Sequence, residues 1–380
     1  MQLVNKNKKD PLIRIAKRSD VPFWGKVKVR AICIGSALVI SLLFIWIVSG
    51  KNPFPVVNYF FLGSFENKAK FWGMVQDTIL LLGVAVALAP AYKMKFWNIG
   101  AQGQILMGAL FASIIMIYCE ALPNFLLIIL MLIGALVGGA LWGFIPAFFK
   151  AKWKTNETLF TLMMNYIAIQ IVNFCTENWR GSQSSFGTIN GITQKGWFPT
   201  LGNNVVFPMI IILLLTVAMF IYMNKFKHGY EINVLGESRN TAKYIGVNVK
   251  WVTIRTLLLS GAICGLLGFF YVSCLNHSIS SSTSGSNGFT GIIVCWLGQF
   301  NPIYMIFYAF ILTFLYKGAN KLKNSNYSSN LNDYSSEFII LVIILSIILA
   351  EFFINYRLIF NFPKKKKLEL EKTNPANGGK

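Results

Sequence analysis

The sequence is short of charge, and of negative charge most of all. Only 13% of its 380 residues are charged, with 14 acids against 35 bases; a soluble domain of ordinary make-up carries about 25%. Histidine is nearly missing as well, with only His228 and His277. No His-Glu-x-x-His occurs, which excludes that zinc-hydrolase device, and no Gly-x-Ser-x-Gly occurs either. There is no Gly-x-x-x-x-Gly-Lys-Ser/Thr loop, so the chain does not hold ATP by that cradle. Asp77 and Glu351 are isolated acids near apolar runs, where a proton-coupled carrier shows several buried acids with basic partners. The six cysteines (Cys33, Cys119, Cys175, Cys264, Cys274, Cys295) form no Cys-x-x-Cys spacing and lie mostly inside apolar runs. They read as small buried hydrophobes, not as metal ligands or a disulfide framework.

What is present is apolar. Hydrophobic residues make up 55% of the chain and mean hydropathy is +0.55. The expected fold is an all-α integral membrane protein, because a spanning helix needs about 20 apolar residues. Long candidates are Ala31–Ser49, Met74–Ala91, Phe125–Phe149, Thr158–Cys175, Val205–Met223, Ile254–Cys274 and Phe338–Phe353. Gln104–Tyr118, Phe289–Leu297 and Ile303–Tyr316 are shorter, and are expected to be broken or re-entrant pieces covered by protein. Ala31–Ser49 is too long for a signal h-region and has about thirty residues before it, so it reads as an uncleaved first helix.

The surplus of Lys and Arg falls between the apolar runs, which fits topology and not a nucleic-acid stripe. Residues 1–30 form a basic segment, expected in the cytoplasm. Arg357 and Lys364 to Lys367 place the basic tail 356–380 there too, with Asn361–Lys380 expected to be disordered. Both ends inside require an even number of crossings. Counting Phe289–Leu297 and Ile303–Tyr316 separately, hinged at Asn301-Pro302, gives ten, with residues 31–355 as one membrane domain. Lys321 and Lys323 then lie outside.

Polarity inside the membrane is costly and marks a pathway or a polar contact between helices. Trp97-Asn98-Ile99-Gly100-Ala101-Gln102-Gly103-Gln104 interrupts a helix pair with three amides and two glycines. It is either a turn with satisfied amides or a helix start whose free N–H groups receive a ligand. In Asn156-Glu157-Thr158-Leu159-Phe160-Thr161-Leu162-Met163-Met164-Asn165-Tyr166-Ile167-Ala168, capping explains Asn156 and Glu157. It does not explain Asn165. Thr158, Thr161, Asn165 and Gln170 are expected near one helical face, lining a cavity or joining helices. Gly229–Val249 reads as a short surface helix stopped by Gly246. Gly288-Phe289-Thr290-Gly291-Ile292, running on to Asn301-Pro302, reads as an apolar half-helix.

These phrases, in this order, resemble the permease subunits of ABC importers, in the nucleoside-uptake branch related to simple-sugar permeases such as those for ribose. That branch carries phrases like Phe-Asn-Ile-Gly-x-Glu-Gly-Gln and Asn-Glu-Val-Ile-x-Thr-Leu-Met-Leu-Asn-Tyr-Ile-Ala. It also carries Gly-Glu-Asn-x-x-Ala-Ala-x-Tyr-x-Gly-Ile, matched here by Gly236–Val247. Gln102 stands where the family has Glu, and Trp97 where it has Phe. The resemblance implies a plasma-membrane permease without ATPase activity, cofactor or metal of its own. ATP and Mg would be bound by partner ATP-binding subunits. A second permease and an extracellular solute-binding lipoprotein would complete the assembly. It implies a substrate path at Trp97, Asn98, Gln102, Gln104, Asn165 and Tyr166, and ATPase docking at Gly236, Glu237, Arg239, Ala242 and Gly246. A simple-sugar permease and an ion-coupled secondary transporter are the alternatives.

Overall fold

In the computed structural model the described residues are 13–17, scattered positions between 22 and 52, 54–181, 186–200, 202–323, scattered positions between 341 and 352, and 356–360. They fall into two compact units. One contains a short antiparallel ribbon, β1 (Ile13–Lys17) with β2 (Tyr356–Phe360), in which Ile13 faces Phe360 and Lys17 faces Tyr356. The other, Leu42–Ile340, has helices as its regular elements among the described residues and holds every candidate site residue. The tail Asn361–Lys380 lies outside the described residues, as do most of Ala31–Ser49 and Phe338–Phe353.

The helices of the larger unit are α1 (Phe54–Phe65), α2 (Lys68–Lys93), α3 (Ala101–Tyr118), α4 (Asn124–Trp153), α5 (Glu157–Arg180) and α6 (Val206–Lys225). They continue with α7 (Lys227–Glu237), α8 (Arg239–Tyr244), α9 (Val249–Phe269, prolonged by a π turn over Phe270–Leu275), α10 (Asn287–Leu297) and α11 (Pro302–Lys323). Seven are long and apolar enough to cross a membrane: α2 to α6, α9 with its π turn, and α11. Two of the three runs expected to be short pieces are therefore longer. α3 has 18 residues and starts at Ala101, and α11 has 22. α10 alone stays short, at 11 residues. α1 is a helix that the apolar-run count missed.

α2 and α9 are the buried centre. Of their most apolar stretches 83% and 78% is buried, against 28% for α4, α5 and α6, whose apolar outer faces suit lipid or a partner chain. Apolar side chains gain little by leaving lipid for one another, so close helix contact rests on small residues and dispersion. α4 carries Gly139 and Gly143, and α9 carries Gly261 and Gly265, each pair four residues apart. A Cβ on Gly261 would lie 2.3 Å from the Gly139 carbonyl oxygen, and one on Gly143 would lie 2.6 Å from that of Leu257. α3 joins the seam where Gly108 meets Gly265, its would-be Cβ 2.4 Å from the Gly265 Cα.

At the far end of α2 from Lys93, charges tie α1, α2 and α11. Asp77 pairs with Lys317 at 2.5 Å, and Glu66 with Lys321 at 2.8 Å and with Lys70. The two lysines bonding Glu66 hold its carboxyl down at about 2. A depressed carboxylate contributes stability that is present above its unfolded pKa, about 4.3, and is lost as pH falls through the folded value. The thermal stability of Glu66→Gln is therefore expected to fall below the wild type's at pH 6 and to converge with it between about pH 4 and pH 2. A gap between the two that persists at pH 2 would reject this account.

Candidate functional site

The site begins where α2 stops. Lys95 to Gly100 is irregular, and α3 then runs antiparallel to α4. Gly138 lies against the Met107 carbonyl, with a would-be Cβ contact of 2.9 Å, and Gly103 lies against the Trp142 indole N–H, with one of 3.0 Å. That register puts the start of α3 about 14 Å from the Trp153 end of α4. The segment Phe96–Gly100 therefore climbs back to mid-depth before the helix resumes.

Irregular backbone at that depth needs partners, since no water is there to supply them. α5 provides them. Thr161 Oγ1 accepts from the Ile99 N–H at 3.1 Å. Asn165 accepts from the Gly103 N–H with Oδ1 and donates to the Ile99 carbonyl with Nδ2, both at 2.8 Å. Asn98 Oδ1 accepts from the Gly100 N–H at 3.0 Å, and its Nδ2 faces Gln104 Oε1 at 3.5 Å. The Tyr92 hydroxyl donates to the Asn98 carbonyl at 3.1 Å. Asn98, Gln104, Thr161 and Asn165 are all buried. These amides hold the shape of the break, and this is why Asn165 sits deeper than a cap.

The remaining expected path residues are placed differently. Gln102 is half-buried at the first turn of α3, where it meets Gly288 at the first turn of α10. A Cβ on Gly288 would lie 2.8 Å from the Gln102 Cβ. Two helix N-termini thus abut, each bringing its positive dipole end. Trp97 is 44% exposed and its ring lies 5.4 Å from that of Trp296, itself 47% exposed. Tyr92 and Phe300 complete the group, Phe300 stacking on Tyr92 at 6.5 Å and standing edge-on to Trp296 at 5.6 Å. Phe300 has a φ of 60°, unusual for a bulky residue, in the turn that swings its ring under α10. Sequence reasoning missed Trp296 and Phe300, since an aromatic inside an apolar run carries no signal of its own.

Tyr166 points elsewhere. It is exposed and shares a shallow groove on the outer face of α5 with Gln170 and Phe174. Gln170 does not share the face of Thr161 and Asn165: nine residues beyond Thr161 is two and a half turns, so it emerges on the opposite side.

The surface segment is two helices, not one. α7 ends at Glu237, Ser238 is extended, and its Oγ caps α8 through the Thr241 N–H at 3.3 Å. Gly246 closes α8 with a φ of +83°. Gly236 presses on the end of α2, its would-be Cβ 2.1 Å from the Lys93 carbonyl oxygen. Ala242 is buried with Ile232 and Leu235 against Met94, Phe96 and Ala147. Glu237 and Arg239 are exposed. The segment is thus seated on the ends of α2 and α4 with its polar side outward.

Comparison with known proteins yields one family. Residues 72–347 match the model described as branched-chain amino acid transport system / permease component. The nucleoside ABC transporter permease protein NupB of Lactococcus lactis is 28% identical over 311 residues, covering 79% of this chain and 85% of that one. The guanosine ABC transporter permease protein NupP of Bacillus subtilis is 30% identical over 246 residues, 63% of this chain and 70% of its own. The glucose ABC transporter permease protein TsgB13 of Haloferax volcanii is 22% identical over 366 residues, 93% and 95% of the two chains.

Proposed function

Since this chain belongs to the family of branched-chain amino acid transport permease components, a multi-pass membrane protein with seven helices long and apolar enough to span among its described residues, we propose that it is the permease subunit of an ABC importer for nucleosides. The observation that carries the proposal is the meeting of two interrupted helices, α3 and α10, at Gln102 and Gly288, beside the half-exposed rings of Trp97 and Trp296. Discontinuous helices whose N-termini point at one place form substrate sites in transporters. The two indoles touch each other and leave exposed faces on which a flat base stacks, and stacking of a base on an aromatic ring is worth about 1–3 kcal/mol. The relatives named for nucleosides and guanosine support the same cargo.

In this reading Trp97 and Gln102 face the path. Asn98, Gln104 and Asn165 line it from behind and fix its shape. Tyr166 lies on the face of α5 turned to the second permease chain. Two ATP-binding subunits, which bind ATP and Mg, dock at Gly236, Glu237, Arg239, Ala242 and Gly246. An extracellular solute-binding lipoprotein delivers the cargo. The chain crosses ten times with both ends in the cytoplasm, and the basic residues near both ends support this. ATP binding draws the partner subunits together, and the α7–α8 segment carries that motion to α2 through Gly236 and to α4 and α9 through their shared core.

The glucose permease that aligns along nearly the whole chain supports a second reading, a simple-sugar cargo. Uptake of labelled purine and pyrimidine nucleosides, with ribose as control, separates the two in cells with and without the gene. Gene-dependent nucleoside uptake that stops on ATP depletion is the expected result. Ribose uptake alone would move the chain to sugars, and uptake that follows an ion gradient without ATP would remove it from ABC transport. Trp97→Ala is expected to raise the half-saturating nucleoside concentration about tenfold. Loss of the base contact leaves any ribose uptake unchanged, so an equal effect on both substrates would reject stacking.

A further inference from the structure

A cleft of about 260 Å³ opens between the end of α2, the end of α4 and the α7–α8 turn. Its charged lining is Lys95, Lys150, Glu157, Glu237, Arg239 and Lys250. Lys150 and Glu157 pair with each other. That leaves three cations facing one acid, and among the described residues Lys95, Arg239 and Lys250 form no ion pair.

Lys95 is the telling member. It has a φ of 59°, in the left-handed region that glycine enters freely and lysine does not. It occupies the position just past the end of α2, its N–H bonded to the Tyr92 carbonyl at 2.9 Å and that of Phe96 to the Ala91 carbonyl at 2.9 Å. Helix-end chemistry asks for glycine there. A lysine stands instead, exposed, at the mouth of the cleft.

We infer that this cleft receives a carboxylate-bearing segment of the ATP-binding subunit, with Lys95, Arg239 and Lys250 as the receiving cations. The inference rests on the reading that α7–α8 docks that subunit. Gly236 is part of the cleft wall, and Glu237 and Arg239 form its rim, so a partner seated on them covers the cleft. Three cations covered without a counter-charge lose hydration and gain nothing in return. Acidic side chains opposite them reverse that balance and fix the register of docking.

The test is retention of the ATP-binding subunit by tagged permease extracted from membranes, at low and at high salt. The wild type is expected to hold the subunit at low salt and to release it as salt rises. Lys95→Glu combined with Lys250→Glu is expected to cut retention at low salt about tenfold. Lys95→Gly separates the charge from the fold: it is expected to raise the unfolding temperature by relieving the left-handed lysine, and to weaken retention several-fold. Unchanged retention in the charge-reversed protein, with the wild type holding its subunit, would overturn the cleft inference and leave docking on α7–α8 intact. So would excess inorganic phosphate that strengthens retention instead of competing with it, since a free anion would then fill the cleft. A wild type that holds no ATP-binding subunit at any salt would overturn the docking reading itself.

Discussion

Asn165→Ala is expected to abolish uptake and to lower the unfolding temperature of the detergent-extracted protein by many degrees. The substitution strands two backbone groups at once, the Gly103 N–H and the Ile99 carbonyl, each bonded to the Asn165 amide at 2.8 Å. A buried polar group left without a partner costs about 1–3 kcal/mol, so the pair is worth about 2–6 kcal/mol. The loss falls on the one stretch whose irregular path sets where α3 begins. Asn165→Asp tests the bond to the Ile99 carbonyl. Its near oxygen still accepts from Gly103, but its second oxygen is a buried carboxylate oxygen set against the Ile99 carbonyl, so at neutral pH it is expected to be at least as destabilising as alanine. Tyr166→Ala, one residue on and exposed, is the control: its effect on stability is expected to stay within about 0.5 kcal/mol. Equal unfolding temperatures for Asn165→Ala and the wild type would show that the break supports itself by other means.

Gly265→Ala carries the second large effect. Its Cβ would lie 2.1 Å from the Ala135 carbonyl oxygen and 3.2 Å from the Gly139 Cα. Both neighbours are backbone, so no side chain can turn aside and α9 must move off α4. Overpacking of this kind costs about 1–3 kcal/mol and more where the surroundings are rigid; about 3 kcal/mol is expected here. α3 rests on the same glycine through Gly108, so uptake is expected to fall with stability. Gly73→Ala makes the comparison, because its Cβ would meet only the tip of Lys317, at 3.9 Å. There alanine gains helix propensity, up to about 1 kcal/mol over glycine, and the protein is expected to melt higher. One substitution type should thus act with opposite signs at two positions. Melting curves that shift the same way for both would discredit the seam.

Hydropathy finds a helix where side chains face lipid or core, and it stops where polar groups are paired out of sight. The apolar run of α3 begins at Gln104, since Ala101 to Gly103 supply little hydropathy, yet these residues are helical and covered by Asn165 and Gly288. The apolar run of α11 ends at Tyr316 because Lys317 and Lys321 carry charge, although Asp77 and Glu66 pair with them. α1 was missed since its twelve residues are too few for a span and prolines flank its start. The site was half legible. Asn156 announced itself as a cap and accepts from the Thr158 and Leu159 N–H groups at 3.1 and 3.3 Å. Asn165 stood out because capping could not explain it. Its partners could not be read, because they lie more than sixty positions back along the chain. The aromatic group of Tyr92, Trp97, Trp296 and Phe300 draws on segments still further apart, and only folding brings it together.

The ribbon of β1 and β2 is small, yet it bears on the whole path of the chain. Ile13–Lys17 and Tyr356–Phe360 exchange backbone hydrogen bonds in register, and two strands can do so only in the same aqueous compartment. A polypeptide that begins and finishes its traverses on one side has made as many outward journeys as inward ones. The five paired residues thus support the even number of crossings proposed above, by an argument independent of hydropathy and of where the lysines fall. A label attached beyond either strand should be reached by reagents from the same side of a sealed vesicle.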